Sequence, residues 1–317
     1  MAYETQKLIQ IARMYYEQRK TQNDIAKAYG LSRVQVTRML TAARERGIVQ
    51  IHIMDEQGSG NINSLAREIE IRFNLKKMLI VPNNPASEFD FISEIAHAAA
   101  LFLNSVLQNG QIVGVGWGMA ITAMVDSFFS SQRRDILFIP ALGGINEKER
   151  IYNLSDILKH LSEKVGGIYN PLHAPVIVDN KELRDALLND SSIQSICRLW
   201  SQLDVLVVGI GGMRSKMPYA LRDYLIKHEL SLMKLQIASD ICFNFFNETG
   251  EPIRSRFEDR TINIQYEDIK NAPMTIAIAG GKSKVHAIYA ALLSGCLDVL
   301  VSDENTCRDL LGLTARY

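Results

Sequence analysis

The stretch DVLVVGIGG, residues 204–212, decides how most of this chain folds. Four consecutive apolar residues with no polar alternation fit a strand buried on both faces. The glycines that follow let the backbone turn tightly into the next element. Working outward, the same step recurs: KMLIVP starts at Lys77, QIVGVGWG at Gln111, DILFIPALGG at Asp135, MTIAIAGG at Met274 and LDVLVSD at Leu297. Amphipathic helical patterns over residues 91–107 and 119–129 lie between the first of them. Buried strands alternating with helices predict an α/β body, a Rossmann-like and mostly parallel sheet covered on both faces. In such sheets ligands bind outside the carboxyl ends of the strands, where exposed helix N-termini favour anions.

The glycines do not spell a nucleotide motif. Gly114, Gly116 and Gly118 alternate, but Met119 stands where GxGxxG needs its third glycine, and no GxxxxGK[ST] occurs. NAD and ATP are thereby disfavoured, and no cofactor is expected. Each glycine pair alone reads as a tight turn, whereas four such loops ending at one sheet edge read as a ligand site.

With 317 residues, 47% of them apolar, the chain is long enough for one large core and a small satellite domain. The formal charge is zero, from 35 basic and 35 acidic residues, yet it is unevenly placed. Through Ile53 there are 9 basic and 4 acidic residues, which leaves 26 against 31 from Met54 onward, or +5 and −5. A basic module that meets a polyanion, joined to an acidic body, is the simplest reading.

The basic end contains TQNDIAKAYGLSRVQVTRML, residues 21–40, preceded by a helical pattern through Leu8, Ile11, Ala12 and Tyr15. Thr21 sits at an N-cap with Asp24 three residues on, and Gly30 supplies the left-handed residue that ends the short helix. Ser32 caps the next helix, which buries Val36, Met39, Leu40 and Ala43. Ala26 is small where two helices must cross closely, so the stretch reads as a helix-turn-helix that binds double-stranded DNA. Val34, Thr37, Arg38 and Thr41 project outward. Gln35 and Arg38 are the candidates for base edges, with Ser32, Arg33 and Arg44 closer to phosphates. Thr21, Gln22 and Thr37 complete the expected DNA-contacting set. The bland alternative is a helical hairpin with a solvated polar face.

After Gly47, IVQIHI alternates like a short strand that would form a wing, and His52 within it reads as a surface residue. DEQGSGNIN, residues 55–63, is polar and glycine-bearing, which predicts a helix-turn-helix domain over 1–54, a linker over 55–63 and an effector and oligomerisation domain over 64–317. Ile62, Leu65, Ile69 and Phe73 then form a stripe that suits either a core face or a dimer seam. Cys197, Cys242, Cys296 and Cys307 are scattered, with no metal-ligand spacing, as in a reduced cytoplasmic protein. No signal-like or membrane-spanning apolar run occurs.

The ordered set of TQxxIAxxxGLSRxxVxRML, VGWG, a GG loop, LDVxxVGIGG, a DI step, AGGxxK and SDxxT resembles the SorC family of transcriptional regulators, and the resemblance covers nearly the whole chain. It implies an N-terminal DNA-binding domain and a C-terminal sugar-binding domain related to sugar-phosphate isomerases. It also implies a homo-oligomer, a tetramer built as a dimer of dimers, in which a sugar, polyol or sugar-phosphate effector alters operator binding. Carried over, the effector set is Gly116, Trp117, Gly118, Met119 and Ala120, then Gly143–Gly144 and Gly211–Gly212. Asp240 would bind sugar hydroxyls and Lys284 a phosphate or hydroxyl. Asp303, with Thr306, matches the last motif, although capping the final helix explains that pair as well. Two positions depart from the family pattern. Met119 and Ala120 stand where phosphosugar binders offer hydroxyls, and Ser239 stands where a glycine precedes the aspartate. The departure tilts the effector toward a hexose, ketose or polyol. The competing reading is an isomerase or deaminase with an added helical domain, but His173, His228 and His286 lie in no catalytic motif.

Overall fold

The computed structural model describes residues 5–16, 18–45, 48–49, 56–83, 91–130, 133–145, 153–212, 236–254 and 257–314. The chain folds as two compact units, Met1–Ser59 and Gly60–Tyr317.

In the first unit, α1 (Thr5–Tyr16), α2 (Gln22–Tyr29) and α3 (Arg33–Glu45) pack around Leu8, Ile11, Ile25, Ala26, Val36, Met39, Leu40 and Ala43. The punctuation is the one expected. Thr21 Oγ1 accepts the Asp24 N–H at 3.2 Å and the Asp24 carboxylate accepts the Thr21 N–H at 3.1 Å, closing a capping box. Gly30 has φ 63°, and its N–H reaches the Ala26 carbonyl. The remainder of the expected wing, residues 50–53 with His52, lies outside the described residues. Ile48 and Val49 pack against the helical core.

The stretch expected as a linker is helical from Glu56, inside α4 (Glu56–Phe73). Glycine weakens a helix by about 1 kcal/mol per residue but does not forbid one, and Leu65, Ile69 and Phe73 bury into the core of the second unit. Of the two readings of this stripe, the structure takes the core face.

The second unit is a sheet of seven parallel strands: β1 (Lys77–Val81), β2 (Ile112–Val115), β3 (Leu137–Pro140), β4 (Ile168–Tyr169), β5 (Val205–Gly209), β8 (Thr275–Ile278) and β9 (Val299–Asp303). All six strands read in the sequence are present. The short edge strand β4 and the antiparallel hairpin of β6 (Ser239–Ile241) and β7 (Asn244–Phe246) carried too few residues to show a period. The spatial order is β1-β9-β8-β5-β2-β3-β4. From β2 the chain moves outward through β3 to β4, then returns to the other side of β2 as β5 and moves away through β8 and β9. The order therefore reverses between the neighbours β2 and β5, and a crevice opens beyond their carboxyl ends. Two apolar layers cover the sheet, one holding α5 (Phe91–Val106), α6 (Met119–Ser127) and α7 (Leu154–Val165). The other holds α4, the hairpin and the helix after β8, α11 (Val285–Leu293). Shorter helices α8 (Lys181–Asn189), α9 (Ser191–Cys197) and α10 (Tyr266–Asn271) fill connections, and α12 (Glu304–Thr314) follows β9.

Candidate functional sites

Gly116 leaves β2 at the reversal point, its N–H bonded to the Val207 carbonyl of β5 at 2.8 Å. A Cβ on Gly116 would lie 3.2 Å from Cys242 Sγ, so the hairpin turn closes directly beneath the loop. Gly118, at φ 131°, starts α6 with no side-chain cap, leaving the first N–H groups of that helix without intrahelical acceptors. Met119 is 46% exposed at the first helical position, and Ala120 is half-buried. Thr122, one turn on, has a buried Oγ1 with no hydrogen-bond partner.

The second loop meets the hairpin. Gly211 exchanges both backbone hydrogen bonds with Asp240, at 2.8 and 3.0 Å. A Cβ on Gly211 would stand 2.8 Å from Asp240 Oδ2, and one on Gly212 would stand 2.7 Å from the Ala287 Cβ. Glycine is needed at Gly211 because the strand end and the Asp240 carboxylate approach each other closely, and at Gly212 because the backbone passes against Ala287 of α11. Asp240 is partly exposed as a residue, but its Oδ1 is buried and has no hydrogen-bond partner among the described residues. Burial pushes the carboxyl up from 3.8 to about 7, against the Phe243 N–H and the nearby Lys284 charge, which both favour the ion. Lys284 donates to the Ile210 carbonyl at 2.6 Å, and burial lowers its pKa while Asp240 works the other way. The neighbouring Ser239 Oγ is also buried without a partner. The loops after β2 and β5, the hairpin with Asp240, and Lys284 thus meet where the strand order reverses, beside polar atoms that lack a partner among the described residues.

The remaining expected residues are placed differently. Both oxygens of Asp303 are engaged: Oδ2 accepts from the Gly281 N–H at 2.9 Å and from Thr306 Oγ1 at 2.6 Å, and Oδ1 accepts from the Thr306 N–H at 2.9 Å. Asp303 therefore caps α12 and ties down the GG loop that carries Lys284. Gly143 is locked against the backbone of Ala174 and Pro175, 2.7 Å from a Cβ. Gly144 borders a separate cavity of about 160 Å³ beyond β3, lined by Leu142, Ile145, Asn153 and Leu158 among others, which takes in none of Gly116, Gly211 or Asp240.

On the helix-turn-helix, Ser32 and Gln35 form a second capping box, with the Ser32 N–H donating to Gln35 Oε1 at 2.8 Å and the Gln35 N–H donating to Ser32 Oγ at 3.2 Å. Gln22 Oε1 receives Arg33 Nε at 3.4 Å and Thr37 Oγ1 at 3.1 Å, stitching α2 to the start of α3. Arg44 reaches Thr41 at 3.5 Å. The Arg38 guanidinium is exposed and makes no hydrogen bond or ion pair among the described residues.

A basic helix-turn-helix and a glycine-lined crevice in a parallel sheet now stand in one chain, and comparison with known proteins finds the same pair. Residues 59–312 match the family model described as "Putative sugar-binding domain", and residues 21–49 match the model for bacterial regulatory proteins of the crp family. The chain belongs to the SorC family of sugar-binding transcriptional regulators. It is 28% identical to the sorbitol operon regulator of Klebsiella pneumoniae, covering 96% of this chain and 97% of that one. It is 27% identical to the deoxyribonucleoside regulator of Bacillus subtilis, with 96% of each covered. The crystal structure of the full-length Klebsiella regulator superposes with a TM-score of 0.81 at 26% identity, covering 98% of this chain and all of that one. Family membership makes the chain a transcriptional regulator and sets the isomerase reading aside. Among the described residues no helix is long and apolar enough to cross a membrane.

Family motifs led to Asp240 and Lys284 but not to the turn that holds them. Cys242 and Phe243 adopt φ 49° and 64°, a two-residue hairpin turn with no glycine, where non-glycine residues are strained. Asn244 Nδ2 holds it by donating to the carbonyls of Ile241, Cys242 and Ile264, and Asn263 Nδ2 donates to Cys242. Phe243 packs edge-on to Trp117 with ring centroids 5.7 Å apart, joining this turn to the first glycine loop. Nothing in the sequence around CFN signals a left-handed turn, because one of the bonds that enforce it comes from Asn263, 21 residues beyond Cys242.

Proposed function

We propose that this regulator controls a carbohydrate-utilisation operon, binding operator DNA through α2 and α3 and a small polyhydroxylated effector in the crevice between β2 and β5. The working division keeps residues 1–54 as the DNA-binding part, 55–63 as the connection and 64–317 as the effector and oligomerisation part. Expected contacts to phosphate and groove come from the Thr21, Gln22, Ser32, Arg33, Thr37 and Arg44 neighbourhood. The observation that carries the effector reading is Asp240 Oδ1, a buried acceptor without a donor at the reversal of strand order. A sugar or polyol hydroxyl would supply that donor, with Lys284 beside it and the α6 N-terminus facing the other end. Met119 puts an apolar side chain where a phosphate would want hydroxyls, which favours a hexose, ketose or polyol over its phosphate. The sorbitol operon regulator among the relatives is named for a polyol operon, which supports the same class.

The protein is expected to work in the cytoplasm as a homo-oligomer, a dimer of dimers, because two-fold protein symmetry matches paired operator half-sites. A thermal-shift screen of hexoses, ketoses, polyols and their phosphates tests the crevice. A stabilising compound should also change the shift of operator DNA, and Asp240→Asn should lose both responses. A screen in which only phosphorylated compounds stabilise the protein would overturn the reading of Met119, and one in which Asp240→Asn responds like the parent would overturn the role of Asp240.

A further inference from the structure

We propose that Val34 and Arg38 are the base-reading pair of α3, Val34 packing on a thymine C5-methyl group and Arg38 pairing with a guanine about two base pairs away. The inference rests on the reading of the first unit as a DNA-binding one and adds to it which bases are read. Three of the polar side chains in the expected DNA-contacting set are engaged within the protein: Gln35, the other candidate for base edges, with Ser32, and Arg33 and Thr37 with Gln22. These bonds fix the start of α3 and its angle to α2. They also engage the polar ends of Gln35, Arg33 and Thr37.

At 3.6 residues per turn, Val34 and Arg38 lie about 40° apart on the helix, opposite the buried Val36 and Ala43. Val34 is 60% exposed. A β-branched apolar residue there gains nothing from helix propensity and leaves its surface in water, so the folded chain alone gives it no role. The floor of the major groove offers one apolar group, the thymine methyl, and an arginine without a partner among the described residues suits the O6 and N7 acceptors of guanine. The separation of four residues is about 6 Å along the axis, close to two base steps of about 3.4 Å.

The test uses DNA selected from a randomised pool by the full chain, with uracil replacing thymine and 7-deazaguanine replacing guanine one position at a time. One thymine per half-site should lose about fourfold in affinity on removal of its methyl group. A guanine within two base pairs of it should lose about tenfold or more when its N7 is removed. Val34→Ala, which lacks the two γ-methyl groups, should narrow the difference between the thymine and uracil forms, and Arg38→Ala should bind the guanine and 7-deazaguanine forms equally. Uracil without effect at every position, or a Val34→Ala protein that tells thymine from uracil as well as the parent does, overturns the proposal while leaving DNA binding intact. A pool that yields no bound sequence would instead overturn the DNA-binding reading on which it rests.

Discussion

Replacing Asp240 by asparagine should stabilise the protein in mild alkali and do progressively less as the pH falls. Burial raises this carboxyl from 3.8 to about 7, so the folded protein holds the proton through a range in which the unfolded chain has already released it. Stability then falls as pH rises through that window and levels off above the folded value, since the native state binds more protons than the unfolded one. At about 1.36 kcal/mol per pH unit, the interval from 3.8 to about 7 is worth at most about 4 kcal/mol. Asparagine has no such ionisation. The stability gap between variant and parent should therefore grow from about 1–2 kcal/mol at about pH 5 to about 4 kcal/mol at about pH 8. Lys284 is common to both proteins, and the attraction it exerts on the carboxylate is already contained in the shifted value. Urea unfolding of the two proteins at matched ionic strength across this range measures the gap directly. A gap that does not change with pH, or a parent protein that is the more stable at about pH 8, would refute the assignment of Asp240 as a carboxyl whose burial outweighs the Phe243 N–H and the Lys284 charge.

Two further outcomes follow from the same geometry. Thr21→Ala breaks the capping box of α2 and should destabilise the helix-turn-helix unit by about 1 kcal/mol, read as a lower melting temperature with the outward face of α3 unchanged. Asp303→Ala leaves the Thr306 N–H and hydroxyl without their acceptor and takes one of two acceptors from the Gly281 N–H, whose other partner is Thr306 Oγ1 at 2.7 Å, and should cost about 2–3 kcal/mol in urea unfolding; an effect below about 0.5 kcal/mol would show that Asp303 is not the tie between the GG loop and α12.

How much of the site was legible depended on where its determinants lie along the chain. The helix-turn-helix could be read in detail because its caps, its glycine and its buried face are all set by residues three or four apart. The six long strands were legible for a similar reason, each being a continuous apolar run that only a two-sided burial explains. Asp240 and Lys284 could be named from family motifs, but their meaning could not. They are separated by 44 residues, and what makes one a raised carboxyl and the other a depressed lysine is the desolvation they share beside Gly211 and Ile210. Asp303 shows the opposite outcome. As a sequence position it suited a sugar contact or a cap, and only the placement of Gly281 and Thr306 around both of its oxygens assigns it to the cap.

Neighbouring residues alone were enough to establish that a basic helix-turn-helix precedes a parallel α/β body with glycine loops at one edge, because periodicity and backbone freedom are local properties. It took the assembled fold to settle that residues 56–63 are helical, that the strand order reverses between β2 and β5, and that a glycine-free turn at Cys242 and Phe243 sets Asp240 against Gly211. Those features depend on burial, strand order and hydrogen bonds between distant segments, and such energies exist only once the segments meet.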